Sequence, residues 1–86
     1  MKETIVFQYG DLGNNCIIRI PSRKYPGVLI QGDTLSTIVS TLETINLHVS
    51  HQSDEELKSE VSELLLQFKE IQHFYIRDAG KDAYKE

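Results

Sequence analysis

The stretch IPSRKYPGVLIQGDTLST, residues 20–37, decides the fold. It stops a strand, turns, starts another strand and opens a helix within eighteen positions. Pro21 cannot donate a ladder hydrogen bond, so the apolar run before it ends there. SRKY is a polar loop and Pro26-Gly27 is a turn signal. VLIQ, residues 28–31, reads as a short third strand, and its unbroken apolarity predicts burial on both faces, in a central or helix-covered position. Gly32 allows a sharp strand-to-helix corner. Asp33 is a good N-cap, because its carboxylate accepts from the free amides of a first helical turn.

Working back from this segment, TIVFQY at residues 4–9 is rich in β-branched and aromatic side chains and alternates Ile5, Phe7 and Tyr9 with Thr4, Val6 and Gln8. That pattern predicts a strand with one strongly buried face. GDLGNN, residues 10–15, supplies residues that tolerate positive φ in tight turns. CIIRI, residues 16–20, is a second strand with Cys16, Ile18 and Ile20 on one face and Ile17 and Arg19 on the other, so the two strands form a hairpin.

Working forward, Leu35, Ile38, Val39, Leu42, Ile45 and Val49 follow helical spacing and make an apolar stripe. The opposite face is Ser36, Thr37, Ser40, Thr41 and Thr44, unusual for a solvated helix and suited to close approach by another element. Ser53 with Glu56 reads as a capping box for a second helix, with Asp54 and Glu55 complementing the helix dipole. Leu57, Val61, Leu64, Leu65, Phe68, Ile71, Gln72 and Tyr75 continue it, and Gly80 is its stop. The short SHQ loop makes the two helices antiparallel neighbours. The expected fold is therefore α+β, in the order β-β-β-α-α. A small antiparallel sheet of about three strands is covered on one face by an antiparallel helical hairpin.

The 86 residues are expected to form a single domain, 1–86, with a polar tail over about 81–86. A chain this short buries only about 60–65% of its unfolded surface and has little room for a deep cleft. The net charge of −4 disfavours direct nucleic-acid binding and suits a basic partner. A single cysteine, Cys16, excludes an intramolecular disulfide and a multi-cysteine zinc site, and reads as a buried reduced thiol. No apolar run reaches the roughly 18–20 residues of a membrane span, and the N-terminus lacks a signal pattern, so the expected location is the cytoplasm.

QGDT lies where a strand meets a helix, but the phosphate-loop and dinucleotide-loop glycine patterns are missing and Asp33 places a carboxylate where an anion would sit. His48 and His51, three apart, have no carboxylate or cysteine beside them to complete a metal site, and no histidine has a nucleophile at motif spacing. The expectation is thus no catalytic residue, no metal, no cofactor and no enzyme activity. The candidate binding residues fall in two groups. Arg19, Arg23, Lys24 and Tyr25, joined by Gln31 and Asp33, form a basic segment suited to a carboxylate or phosphate. Glu56, Glu60 and Glu63 line one side of the second helix, as in a protein that docks onto a basic enzyme such as a nuclease.

RKYPGVLIQGDTL, residues 23–35, resembles the signature of a family of small uncharacterised bacterial proteins: Arg, a second cation, an aromatic, Pro-Gly, then Ile-Gln-Gly-Asp, a hydroxyl residue and Leu. The resemblance covers thirteen residues. It implies a compact α+β domain and an association with toxin and contact-competition loci, and it brings no catalytic residue. The expected function is a non-enzymatic, immunity-type inhibitor that neutralises a bacterial toxin by direct binding. The alternative is a small regulatory module using the Arg23–Asp33 segment for an anionic or polar ligand. Pairing of two copies through the Ser/Thr face or a strand edge is a further expectation.

Overall fold

The computed structural model describes residues 2–13 and 15–80. The expected polar tail and Asn14 of the first turn lie outside the described residues. The chain forms two compact units, Met1–Gln31 and Gly32–Glu86. Three antiparallel strands followed by two helices make it an α+β fold.

The first unit is an antiparallel meander in the order β1-β2-β3, with β1 at Phe7–Tyr9, β2 at Ile17–Arg19 and β3 at Gly27–Val28. Gly10 takes φ 74° directly after β1, a left-handed conformation that glycine adopts without a Cβ penalty. Phe7 pairs with Arg19, Gln8 with Ile18 and Tyr9 with Ile17; Ile17 also faces Val28, and Ile18 faces Gly27. The register puts Phe7, Tyr9, Ile17, Arg19 and Val28 on one face and Gln8, Ile18 and Gly27 on the other. An extra bond from the Leu29 N–H to the Cys16 carbonyl, 2.8 Å, extends the second pairing, and Cys16 is buried.

Two expectations need correction here. Phe7 and Tyr9 are each 47% exposed, so β1 has no strongly buried face. The third strand is shorter than VLIQ, lies at the sheet edge, and leaves Val28 61% exposed. The reason is size: strands of two or three residues give a sheet too narrow to enclose side chains on either face. Gln31 is likewise exposed, so its amide is open to solvent rather than ending a buried strand.

In the second unit, α1 spans Gly32–Val49 and α2 spans Glu55–Ala79. Gly32, at the start of α1, lies against the Tyr75 ring near the end of α2, and Glu43 pairs with Lys69 at 3.7 Å. The helices therefore run antiparallel. The seam repeats in alternating steps of three and four. Gly32, Leu35, Val39, Leu42, Asn46 and Val49 are half-buried or buried on α1, with Thr34, Ser36 and Ile38 half-buried beside them in its first turns. On α2, Lys58, Val61, Leu65, Phe68, Gln72, Tyr75 and Ala79 are the residues that are not exposed. This is the spacing of a coiled-coil seam. Leu35, Val39 and Leu65 are its fully buried centre, with Leu42, Phe68 and Tyr75 packed around them.

The stripe read from sequence is broader than this seam. Ile45, Leu57, Leu64 and Ile71 lie beside it and stay exposed. Helix starts also differ by one residue. Helix α1 begins at Gly32, so Asp33 sits in the first turn and accepts the Thr34 N–H at 2.9 Å. The cap of α2 is Asp54 and not Ser53: its Oδ1 accepts the Leu57 N–H at 3.0 Å, and a charged acceptor at the positive helix end is the stronger one. Gly80 ends α2 with φ 58°, donating its N–H to the Ile76 carbonyl. Thr37 and Thr44 turn their hydroxyls back onto the Asp33 and Ser40 carbonyls, both at 3.2 Å, which explains how α1 tolerates a Ser/Thr face. Among the described residues, no helix is long and apolar enough to cross a membrane.

Gly32 does not adopt positive φ; the end of the Tyr75 ring occupies the place of a Cβ, so any side chain there must move the ring. Gly32→Ala should therefore cost about 1–3 kcal/mol by displacing that ring. Asp54→Ala should cost about 1 kcal/mol through the lost cap. Urea denaturation followed by circular dichroism measures both, and an unchanged midpoint for Gly32→Ala would show that the seam does not depend on this contact.

Candidate binding surface

The first unit carries a hollow of about 230 Å³ lined by Ile18, Ile20, Arg23, Tyr25, Gly27 and Val28. It arises because Ile18 and Ile20 project from the same face of β2, and Gly27, paired with Ile18, offers no side chain to cover them. The segment after β2 then curls over the edge. The Arg23 N–H donates to the Ile20 carbonyl at 2.8 Å, closing a turn at Pro21. Arg19 secures that turn from the other side. Its Nη1 donates to the Arg23 carbonyl at 3.0 Å, and its guanidinium lies 4.5 Å from the centroid of the Phe7 ring. One cation thus ties β1, β2 and the loop together.

With its backbone held at both groups, Arg23 presents its guanidinium at the rim. Among the described residues that guanidinium has no hydrogen-bond or ion-pair partner. Tyr25, 74% exposed, forms the opposite wall, and the Lys24 ammonium sits 5.4 Å from its ring centroid. The result is an apolar floor, an aromatic wall and an unpaired cation. Such a site can hold an aliphatic group with a carboxylate beside it.

The residues singled out from sequence are thus partly gathered. Arg23 and Tyr25 line the hollow, Lys24 stacks on its wall, and Arg19 supports it from behind. Gln31 ends the first unit, exposed. Asp33 belongs to the helical unit, where its carboxylate is engaged by the Thr34 amide. Glu56, Glu60 and Glu63 are exposed along α2 and do not join a pocket. The lining residues Ile18, Ile20 and Val28 carried no functional signal in the sequence, since apolar strand residues read as core.

A larger, more open groove of about 450 Å³ runs along the helices past Glu43, Asn46, Leu47 and Lys69. Its two charges pair with each other. Among the described residues, no three His, Cys, Asp or Glu side chains converge on a metal-sized site. The displaced titrations lie elsewhere too. A side-chain hydrogen bond from Arg77 holds the Asp78 carboxyl below its usual value, and the same bond raises Arg77.

Charge is divided between the units. Residues 1–31 hold four cations against two acids, a net +2; residues 32–86 hold five cations against eleven acids, a net −6. The hollow lies on the positive unit.

The two arginines should separate cleanly on substitution. Arg19→Ala should lower stability by about 1–2 kcal/mol, because it removes both the ring contact and the carbonyl bond. Arg23→Ala should change it by less than about 0.5 kcal/mol, since its side chain contributes nothing to the fold. Equal losses in chemical denaturation would contradict the reading of Arg19 as a support of the fold and of Arg23 as a side chain the fold does not use.

No curated protein matches the chain, and no solved structure does. Residues 1–84 match the model of a family of unknown function, DUF6959, and with all but its last two residues covered the chain belongs to that family.

Proposed function

We propose that this chain is a non-enzymatic binding protein, an immunity-type inhibitor that neutralises a bacterial toxin by direct contact. The observation that carries the reading is the hollow of the first unit, an isoleucine floor rimmed by a guanidinium without a partner. No carboxylate, imidazole or thiol lines it, so it offers a grip and no acid–base pair. A toxin segment with an aliphatic side chain next to a carboxylate fits both halves of the grip. Arg and Tyr are the residue types that concentrate binding energy at protein interfaces. The acidic surface of α2, with Glu56, Glu60 and Glu63 exposed, supplies long-range attraction to a basic toxin such as a nuclease and speeds encounter. Action in the cytoplasm, where such a toxin would be met, is part of the same proposal.

Co-expression with the products of the neighbouring reading frames tests this. The chain should restore growth against one of them and bind it when purified. Arg23→Ala should weaken that complex by about 10–100-fold while leaving the thermal midpoint in place. Val28→Asp, which puts a charge into the apolar lining, should weaken it further. If no neighbouring product is toxic, or none is relieved, the inhibitor reading fails. A thermal shift with small aliphatic carboxylates in the absence of any such protein would instead favour the ligand-module alternative.

A further inference from the structure

The helical unit has two unlike sides. Glu43 and Lys69, which meet at 3.7 Å, each stand one residue after a seam position, Leu42 and Phe68. In an antiparallel helix pair, residues that follow the seam share one side and residues that precede it share the other. The residues one step before Val39, Asn46, Lys58, Leu65 and Gln72 are Ile38, Ile45, Leu57, Leu64 and Ile71. All five are aliphatic. Ile38 is half-buried, while Ile45, Leu57, Leu64 and Ile71 keep 42–50% of their surface exposed.

A strict two-helix seam places charged or polar residues at these flanking positions. A seam widened on one side by a third aliphatic residue per heptad belongs to helices that pack against a further element on that side. We infer that this flank is the interface between two copies of the chain, whose helical hairpins pair about a two-fold axis into a four-helix bundle.

Charge selects this side over the others. The outer ridge of α2 carries Glu56, Glu63 and Glu70 at seven-residue intervals, and pairing it with its own copy would set like charges together. The opposite flank carries the Glu43–Lys69 pair, already satisfied. The aliphatic flank has no ionisable group at these five positions, and its sixth, Asp78 before Ala79 at the end of α2, is paired with Arg77, so a self-complementary, isologous contact meets no unpaired charge there. Area agrees. The 18 residues of α1 run about 27 Å, and two helices side by side are about 20 Å wide. The footprint is roughly 500 Å² per copy, which brings the pair to about the 1,000 Å² that a specific interface needs.

Light scattering of the full chain after size exclusion decides it. The expected mass is twice that of the chain at about 100 μM, falling towards the single-chain value on dilution. Leu64→Glu should give a single-chain mass with helical circular dichroism retained. Ile45→Ser should raise the dissociation constant by about 10–100-fold. Leu66→Glu, on an exposed residue away from the flank, should leave the dimer intact. A single-chain mass for the natural sequence at all concentrations overturns the inference, as does a dimer indifferent to both flank substitutions. If Leu64→Glu unfolds the hairpin, the milder Ile45→Ser variant carries the decision. The inhibitor reading is read out by growth and toxin binding through Arg23, so either conclusion can fail without the other.

Discussion

The helical unit depends on one seam, in which Leu35 and Val39 of α1 close over Leu65 of α2. Everything in the hairpin follows from keeping that seam in register. Leu42 and Phe68 extend it, and Gly32 lets Tyr75 close its end. Each centre side chain contributes about 2–3 kcal/mol by leaving water. Three such groups are few for two helices of 18 and 25 residues, so end effects weigh heavily. The Asp54 carboxylate on the first turn of α2 and the Gly80 N–H on its last carbonyls are part of what keeps the long helix from fraying.

The sheet unit solves a different problem. It has no wide face to bury, so its order comes from pairing and from a cation. Arg19 lies over Phe7 and reaches the Arg23 carbonyl, joining two strands and a loop by contacts that a lysine would make less well, because only a planar guanidinium stacks and donates at once. A by-product of this support is that Arg23 is fixed by its backbone and left open at its tip. Rigid backbone under a free charged end is the preorganisation that binding surfaces need, since little entropy remains to be lost when a partner arrives.

The division of charge connects the two units to one functional picture. A net-positive sheet unit and a strongly acidic helical unit present opposite fields to a partner. In the proposed inhibitor reading, grip and steering rest on different elements: Arg23 and Tyr25 at the hollow, Glu56, Glu60 and Glu63 on α2. Short-range desolvated contacts set how long a complex lives, while exposed acids mainly set how fast it forms.

Much of this was legible in the chain itself. Helical periodicity, the acidic start of α2, Gly80 as its end, the glycine-rich connection of β1 to β2 and the Pro26-Gly27 signal before β3 each act through local backbone preference. The element order β-β-β-α-α came from the same source. Tertiary structure alone decided which aliphatic residues were seam and which were flank, because Leu64 and Leu65 are equally apolar and differ only in the direction they face. It also turned VLI from an expected interior into an exposed edge and made Arg19 a brace between β1, β2 and the loop. It assigned Gly32 to the Tyr75 ring. Those outcomes depend on residues far apart in sequence meeting in space, and no local pattern encodes such meetings.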